Sequence, residues 1–201
     1  MQQIAVFDFD KTLFKKDSFL SIYKFIVIKY PIRFIFLPIQ VLSGALYWLK
    51  ILDAKTFKSY FLFYLYNMKL EILAANLEEF WSQNQQFNQE LLSCIQTLNN
   101  SGITTVVVSA SPTLFLKKAC KDLGIKHVIG TELTYQNGNY KIAGKNCRGR
   151  EKISRLLSFF EDDIEIIWAF SDNKDDQDLL NMSKNSFWIK NGKLINYEPI
   201  K

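Results

Sequence analysis

Short apolar runs recur along the chain, and each one stops at polar residues. Ile4–Phe9 ends among acids, Ile103–Val108 ends at Ser109, and Ile164–Phe170 ends at Ser171-Asp172. Runs of this length predict strands buried on both faces. The second is introduced by the turn sequence Asn99-Asn100-Ser101-Gly102. Ser111-Pro112 then predicts a helix start, with Ser as N-cap and Pro in the first helical position, and Leu123-Gly124 predicts its end. Ile153, Leu156, Leu157 and Phe160 recur at helical spacing and predict an amphipathic helix ahead of the third strand. Strands alternating with helices predict an α/β chain whose parallel sheet is covered on both faces. Asn137-Gly138 and Asn191-Gly192 predict hairpins.

A different pattern separates the first two strands. Residues 18–83 read as helix almost throughout, with breaks expected at Pro31, Pro38 and Ser43-Gly44. Between Arg33 and Lys50 lie sixteen uncharged residues, Phe34–Leu49. A membrane-spanning helix needs about twenty. Both flanking strands are expected in one sheet, so both ends of the insert lie on the same side of any bilayer. A single crossing is excluded, and a re-entrant hairpin or an interfacial helix pair is expected instead.

Composition sharpens this division. The net charge of +5 is unevenly spread, because residues 14–70 hold nine Lys/Arg against Asp17 and Asp53. The same stretch carries half of the aromatic residues. The single histidine, His127, is expected to flank a strand and leaves little material for phosphohistidine or zinc chemistry. Cys94, Cys120 and Cys147 are widely spaced and odd in number, as expected for reduced cytosolic thiols. The amino-terminal run, stopping at Asp8, is not that of a signal peptide. Because the positive charge sits among long apolar runs, no nucleic-acid partner is expected.

The strand ends carry the chemistry. Asp8-Phe9-Asp10-Lys11-Thr12 places two carboxylates where a strand gives way to a loop, and such acids repel unless a cation or shared proton relieves them. Ser109-Ala110-Ser111-Pro112 offers a hydroxyl and main-chain N–H groups suited to phosphate. Ser171-Asp172-Asn173-Lys174-Asp175-Asp176 supplies further acids. In an open α/β sheet, ligands bind beyond the carboxyl ends of the strands. An oxygen-only donor set favours Mg²⁺.

These motifs, in this order over roughly residues 4–180, resemble a haloacid dehalogenase-superfamily phosphatase of the phosphoserine phosphatase branch. The resemblance implies a Rossmannoid three-layer α/β fold with a central parallel sheet. Residues 1–13 and 86–201 would form the catalytic core, and residues 14–85 a helical cap inserted between the first and second motifs. It further implies that Asp8 is a nucleophile forming an aspartyl-phosphate and that Asp10 is the acid and base. Mg²⁺ would be held by Asp8, the Asp10 carbonyl and Asp172. Thr12, Ser109 and Ala110 would bind phosphoryl oxygens, with Asp176 and Asp175 supporting from behind. Asp175 departs from the family pattern, which has Asn there. The cation of the third motif falls in Asn146-Cys147-Arg148-Gly149-Arg150-Glu151-Lys152, with Lys152 favoured by its place near a helix start and Arg148 its rival.

Caps select substrates, and this one mixes aromatic surface with Lys24, Lys29, Arg33, Lys50, Lys55 and Lys58. That composition suits an interface with anionic lipid. Together with Cys147–Lys152 and Phe170-Ser171-Asp172, it resembles the phosphatidylglycerophosphatase C type. The expectation is a phosphomonoester substrate carried on a lipid, such as phosphatidylglycerophosphate, met at the cytoplasmic face of the membrane. A soluble phosphatase for a metabolite such as phosphoserine, with the aromatics forming the cap's own core, is the alternative. A non-catalytic membrane-binding module is a second, which the intact acids oppose.

Overall fold

A computed structural model describes residues 1–198 of the chain. Seven strands form one sheet in the order β4-β3-β2-β1-β5-β6-β7. Three are the strands expected from the apolar runs, β1 (Gln2–Phe7), β2 (Thr104–Pro112) and β5 (Ile164–Ser171), and a further strand, β6 (Asn185–Lys190), is only partly buried. β1 lies parallel to both β2 and β5, β2 to β3 (His127–Gln136), and β5 to β6. The antiparallel edges are β4 (Asn139–Ala143) against β3 and β7 (Lys193–Asn196) against β6. Both edge hairpins turn on an Asn-Gly pair with positive φ at each residue, as the tight two-residue turn requires. His127 is the first residue of β3.

Period-two alternation in the central strands separates two apolar layers. Ala5, Phe7, Val107 and Phe170 face α5 (Gln89–Asn100), α6 (Thr113–Asp122) and the cap. Ile4, Val6, Val106, Val108 and Ala169 face α7 (Arg150–Phe159) and α8 (Gln177–Asn181). Phe7 pairs across the sheet with Phe170, and Phe170 with Phe187. Their rings stack at 4.6 and 5.3 Å between centroids. Burial of a Phe side chain stabilises by roughly 1.5–3 kcal/mol. The ladder therefore holds the register that brings Asp8 beside Ser171.

The cap contains α1 (Ser18–Lys29), α2 (Leu37–Trp48), α3 (Ala54–Phe61) and α4 (Leu70–Gln83), with 3-10 segments at Pro31–Phe36 and Leu62–Leu65. It is rooted in the core by an aromatic cluster of Phe9, Phe14, Trp81 and Phe87. Trp81 Nε1 also donates to the Phe115 carbonyl at 2.7 Å.

Two local expectations are corrected. Ser43-Gly44 does not break the helix but lies inside α2, and the chain reverses instead after Leu49, where Lys50 has φ 59°. A Cβ at Gly44 would stand 3.9 Å from the Phe57 ring, an ordinary contact, so the helix passes through this position without needing glycine. Ser111-Pro112 does not start a helix, since β2 runs through Pro112 and α6 begins at Thr113. Tertiary pairing of Pro112 with Thr131 of β3 overrides the capping signal.

Gly130 permits that pairing. A Cβ there would stand 2.6 Å from the Ser111 carbonyl oxygen and 2.8 Å from the Thr113 nitrogen, both main-chain atoms with little room to move. Gly130→Ala is expected to lower stability by roughly 1–3 kcal/mol, read as a shifted denaturant midpoint.

Candidate active site

Sheet register and helix ends bring the carboxyl ends of β1, β2 and β5 around a cavity of about 320 Å³. Asp8, Asp10, Ser109, Ala110, Lys152 and Asp172 line it, as the sequence led us to expect. The Asp8 N–H donates to the Phe170 carbonyl at 2.9 Å, so Asp8 continues the β1–β5 ladder by one residue. Beyond it the loop turns sharply, with Lys11 in the left-handed region at φ 57°. A long side chain held there costs roughly 1 kcal/mol, a strain typical of functional loops.

Of the two candidate cations of the third motif, the structure buries one. Lys152, 2% exposed, comes from the first turn of α7. Its Nζ donates to Asp8 Oδ1 and to Asp176 Oδ2, each at 2.7 Å. Asp176 Oδ2 also accepts from the Ser171 hydroxyl at 2.6 Å. Arg148, the rival, is exposed and pairs at the surface with Asp175 at 2.5 Å. Asp175 thus holds Arg148, not the buried centre. Arg150 pairs with Asp178, also at the surface.

Burial raises the Asp8 carboxyl to about 7, against the lowering effect of Lys152. Burial opposes the Lys152 ammonium, yet Asp8 and Asp176 outweigh it and hold the amine charged.

Asp10 is held on both oxygens. Oδ1 accepts from the Ser18 N–H at 2.7 Å and Oδ2 from the Ser111 hydroxyl at 2.5 Å. Burial raises the Asp10 carboxyl, and these hydrogen bonds only moderate the rise. Ser18 is the first residue of α1, so the cap takes part directly in fixing Asp10. Ser111 had been assigned an N-cap; its true role follows from strand alternation, which turns Ser109 and Ser111 to the same side.

Thr12 is a correction. Its hydroxyl does not face the cavity but accepts from the Asp172 N–H at 3.0 Å and approaches Asp172 Oδ1 at 3.4 Å. It orients Asp172. The helix N-terminus expected beside Ser109 is likewise displaced, because the Ser111 N–H is taken by Ser109 Oγ at 3.1 Å.

Lys58 is the main surprise. The sequence grouped it with the lysines facing lipid, yet α3 carries it into the cavity. Its Nζ donates to the Ala110 carbonyl and to Asn146 Oδ1, both at 2.8 Å, and sits over the Phe19 ring. Burial lowers its amine to about 8, partly offset by Asp10 and Asp17. Cys147, also buried, has its thiol raised by burial to about 11 and is not a nucleophile.

Among the described residues no three His, Cys, Asp or Glu side chains form a metal-binding set. The donors available to Mg²⁺ are fewer: the Asp8 and Asp172 carboxylates and the Asp10 main-chain carbonyl. Two observations favour the fit. Asp8 and Asp172 carboxyls stand within hydrogen-bond contact, and burial raises both. Asp176 Oδ1 is buried and has no hydrogen-bond partner among the described residues. Both mark an excess of buried negative charge that a divalent cation relieves.

Two tests follow from these groups. Lys152→Met strands Asp8 and Asp176 without a cation, and a loss of about 3–5 kcal/mol in denaturant titration is expected. Arg148→Ala should change stability by less than about 0.5 kcal/mol. The raised carboxyl of Asp8 means that the folded chain binds more protons than the unfolded one between pH 3.8 and about 7. Stability in chelator-treated protein should therefore fall as pH rises through that window. Asp8→Asn should flatten the profile, and calorimetric melting at pH 5 and pH 8 checks the sign.

Comparison with known proteins bears on the fold and the family. Protein CicA of Caulobacter vibrioides is 33% identical over 82 residues, which span 39% of this chain and 37% of the relative. A Bordetella pertussis Tohama I protein of unknown function superposes with a TM-score of 0.77 at 20% identity, covering 92% of this chain and 89% of that one. A phosphoserine phosphohydrolase-like protein from Francisella tularensis gives 0.60 at 18% identity, covering 92% and 86%. A substrate-bound phosphoserine phosphatase gives 0.57 at 14%, covering 92% and 85%. At such identities these structures speak to fold. The family model for haloacid dehalogenase-like hydrolases matches residues 5–181, most of the sequence, and the chain belongs to that family.

Proposed function

We propose that the protein is a Mg²⁺-dependent phosphomonoesterase that works through an aspartyl-phosphate on Asp8. The observation that carries this is the buried Asp8 carboxylate, held by Lys152 at 2.7 Å and facing a cavity whose other wall carries Asp10. In the first step Asp8 attacks phosphorus, and the bond to the leaving oxygen breaks as Asp10 gives it a proton. In the second, Asp10 takes a proton from water as the water oxygen attacks phosphorus, releasing inorganic phosphate and free Asp8. The upward shift of the Asp10 carboxyl favours its protonated form, which is the form the first task needs. Lys152 holds Asp8 in place and offsets its charge as an anionic phosphate approaches. Ser109 and Ala110 border the space for phosphoryl oxygens. When bound, Mg²⁺ would offset the like charges of nucleophile and phosphate.

We assign the substrate to lipid head-group phosphates such as phosphatidylglycerophosphate, met at the cytoplasmic face of the membrane. The exposed apolar residues of the cap support this, and the cavity is large enough for a head group but not for acyl chains. A soluble substrate such as phosphoserine is favoured by one observation, the cap-borne Lys58, which could meet a small second anionic group.

Asp8→Asn should bring hydrolysis of p-nitrophenyl phosphate down to background, and surviving metal-dependent turnover overturns the aspartyl-phosphate mechanism. In mixed micelles, kcat/KM for phosphatidylglycerophosphate is expected to exceed that for phosphoserine by roughly a hundredfold, about 2.7 kcal/mol of transition-state discrimination. The reverse order favours the soluble reading.

A further inference from the structure

The cap segment Pro31–Trp48 takes no part in the chemistry. Among the described residues it is the one stretch long and apolar enough, by composition, to cross a membrane. Its two faces are unlike. On one, Gln40 accepts from the Tyr23 hydroxyl and donates to the Phe61 carbonyl, both at 2.9 Å, and Ser43 is buried. Tyr47 stacks on Phe57 at 4.9 Å between centroids, and upstream Arg33 Nη1 donates to the Tyr64 carbonyl at 2.6 Å. Positions 40, 43 and 47 recur at helical spacing, so this face is tied lengthwise to α1, α3 and the 3-10 turn after α3.

The opposite face carries Ile35, Val41, Leu42 and Trp48, flanked by Ile32 and Ile51. All six are exposed, Ile32 to 78% and Trp48 to 82%. Within α2, positions 41–42 and 48 keep the helical spacing and form one stripe, and Ile35 precedes it in the 3-10 segment. A run of large apolar side chains left uncovered marks a surface for a partner or a membrane.

Charge selects the occupant. Residues 18–66 contain six Lys/Arg and a single acid, Asp53. Lys24, Lys50 and Lys55 are exposed on the same cap. A second copy docked face to face would bring these lysines together, an unfavourable juxtaposition. An anionic bilayer takes both the apolar stripe and the charges. Crossing it is another matter, because the tied face would draw Lys24, Lys55 and Lys58 into hydrocarbon with it.

We propose that the exposed face of Pro31–Trp48, with Ile51, is an interfacial docking surface that lies flat in the head-group boundary of an anionic bilayer. The proposal deepens the lipid-phosphatase reading and rests on it for its purpose. The two fail separately, since docking is read by sedimentation and the chemistry by p-nitrophenyl phosphate.

The test compares the full chain with the triple variant Val41→Asn, Leu42→Gln, Trp48→Gln, whose side chains lie outside the catalytic cavity. Both are sedimented with vesicles of phosphatidylcholine containing about 30% phosphatidylglycerol, and with phosphatidylcholine alone. Expected are wild-type binding to the anionic vesicles, weakening with salt, and a partition at least roughly tenfold lower for the variant. Hydrolysis of p-nitrophenyl phosphate should match in both, showing that the variant is folded. Wild-type protein left in the supernatant overturns the proposal, as does a variant that sediments equally well. Dimerisation lost in the variant, with no vesicle binding, assigns the face to a second copy and overturns it too.

Discussion

One buried ammonium organises the catalytic end of this molecule. Lys152 lies between Asp8 and Asp176, and each carboxylate is at 2.7 Å. The three members of this triad come from the end of β1, from α7 and from the segment after β5, which are distant in the chain. Removing any one leaves charge in a site where water cannot compensate, so the three elements must dock together or not at all. Ser171 and Asp172 are positioned by the same requirement, because Ser171 closes the network onto Asp176. The aromatic ladder of Phe7, Phe170 and Phe187 provides the apolar side of the constraint, setting the strand register that makes the ion triad possible.

The cap is joined to this centre at two points of different character. Ser18, at the start of α1, donates its N–H to Asp10, so the carboxyl proposed as acid and base is shaped partly by the cap. Lys58, on α3, reaches Ala110 and Asn146 on the core side. Motion of the cap would disturb both at once. Cap placement and the setting of Asp10 are therefore linked through these hydrogen bonds.

The aromatic wealth of the insert divides between two uses. Phe14, Phe19, Tyr64, Phe80 and Trp81 are buried and form the interior of the cap and its root in the core. Ile32, Phe34, Leu42 and Trp48 remain outside, concentrated in the 3-10 turn and α2. A bundle of this size has too little interior to cover every apolar residue it carries.

Much of the core fold was legible because its signals are local. Apolar runs ending at Asp8, Ser109 and Ser171 announced buried strands, and the two Asn-Gly pairs announced hairpins, since only left-handed backbone closes such tight turns. The ordered acids at those strand ends identified the site, because strands of one sheet present their carboxyl ends together. What the linear pattern could not distinguish was which of several like residues enters the site. Lys152 and Arg148 share one basic stretch, and Lys58 is one of nine cations in the cap; burial between carboxylates or beside a main-chain carbonyl separates them, and burial is decided by packing across the whole fold. For the same reason Ser111 left its capping role for Asp10 and Thr12 turned to Asp172. The sequence by itself determined the alternation of elements and the kinds of groups available for chemistry. Tertiary structure alone decided which charges are desolvated and paired, because that depends on neighbours up to 144 residues away.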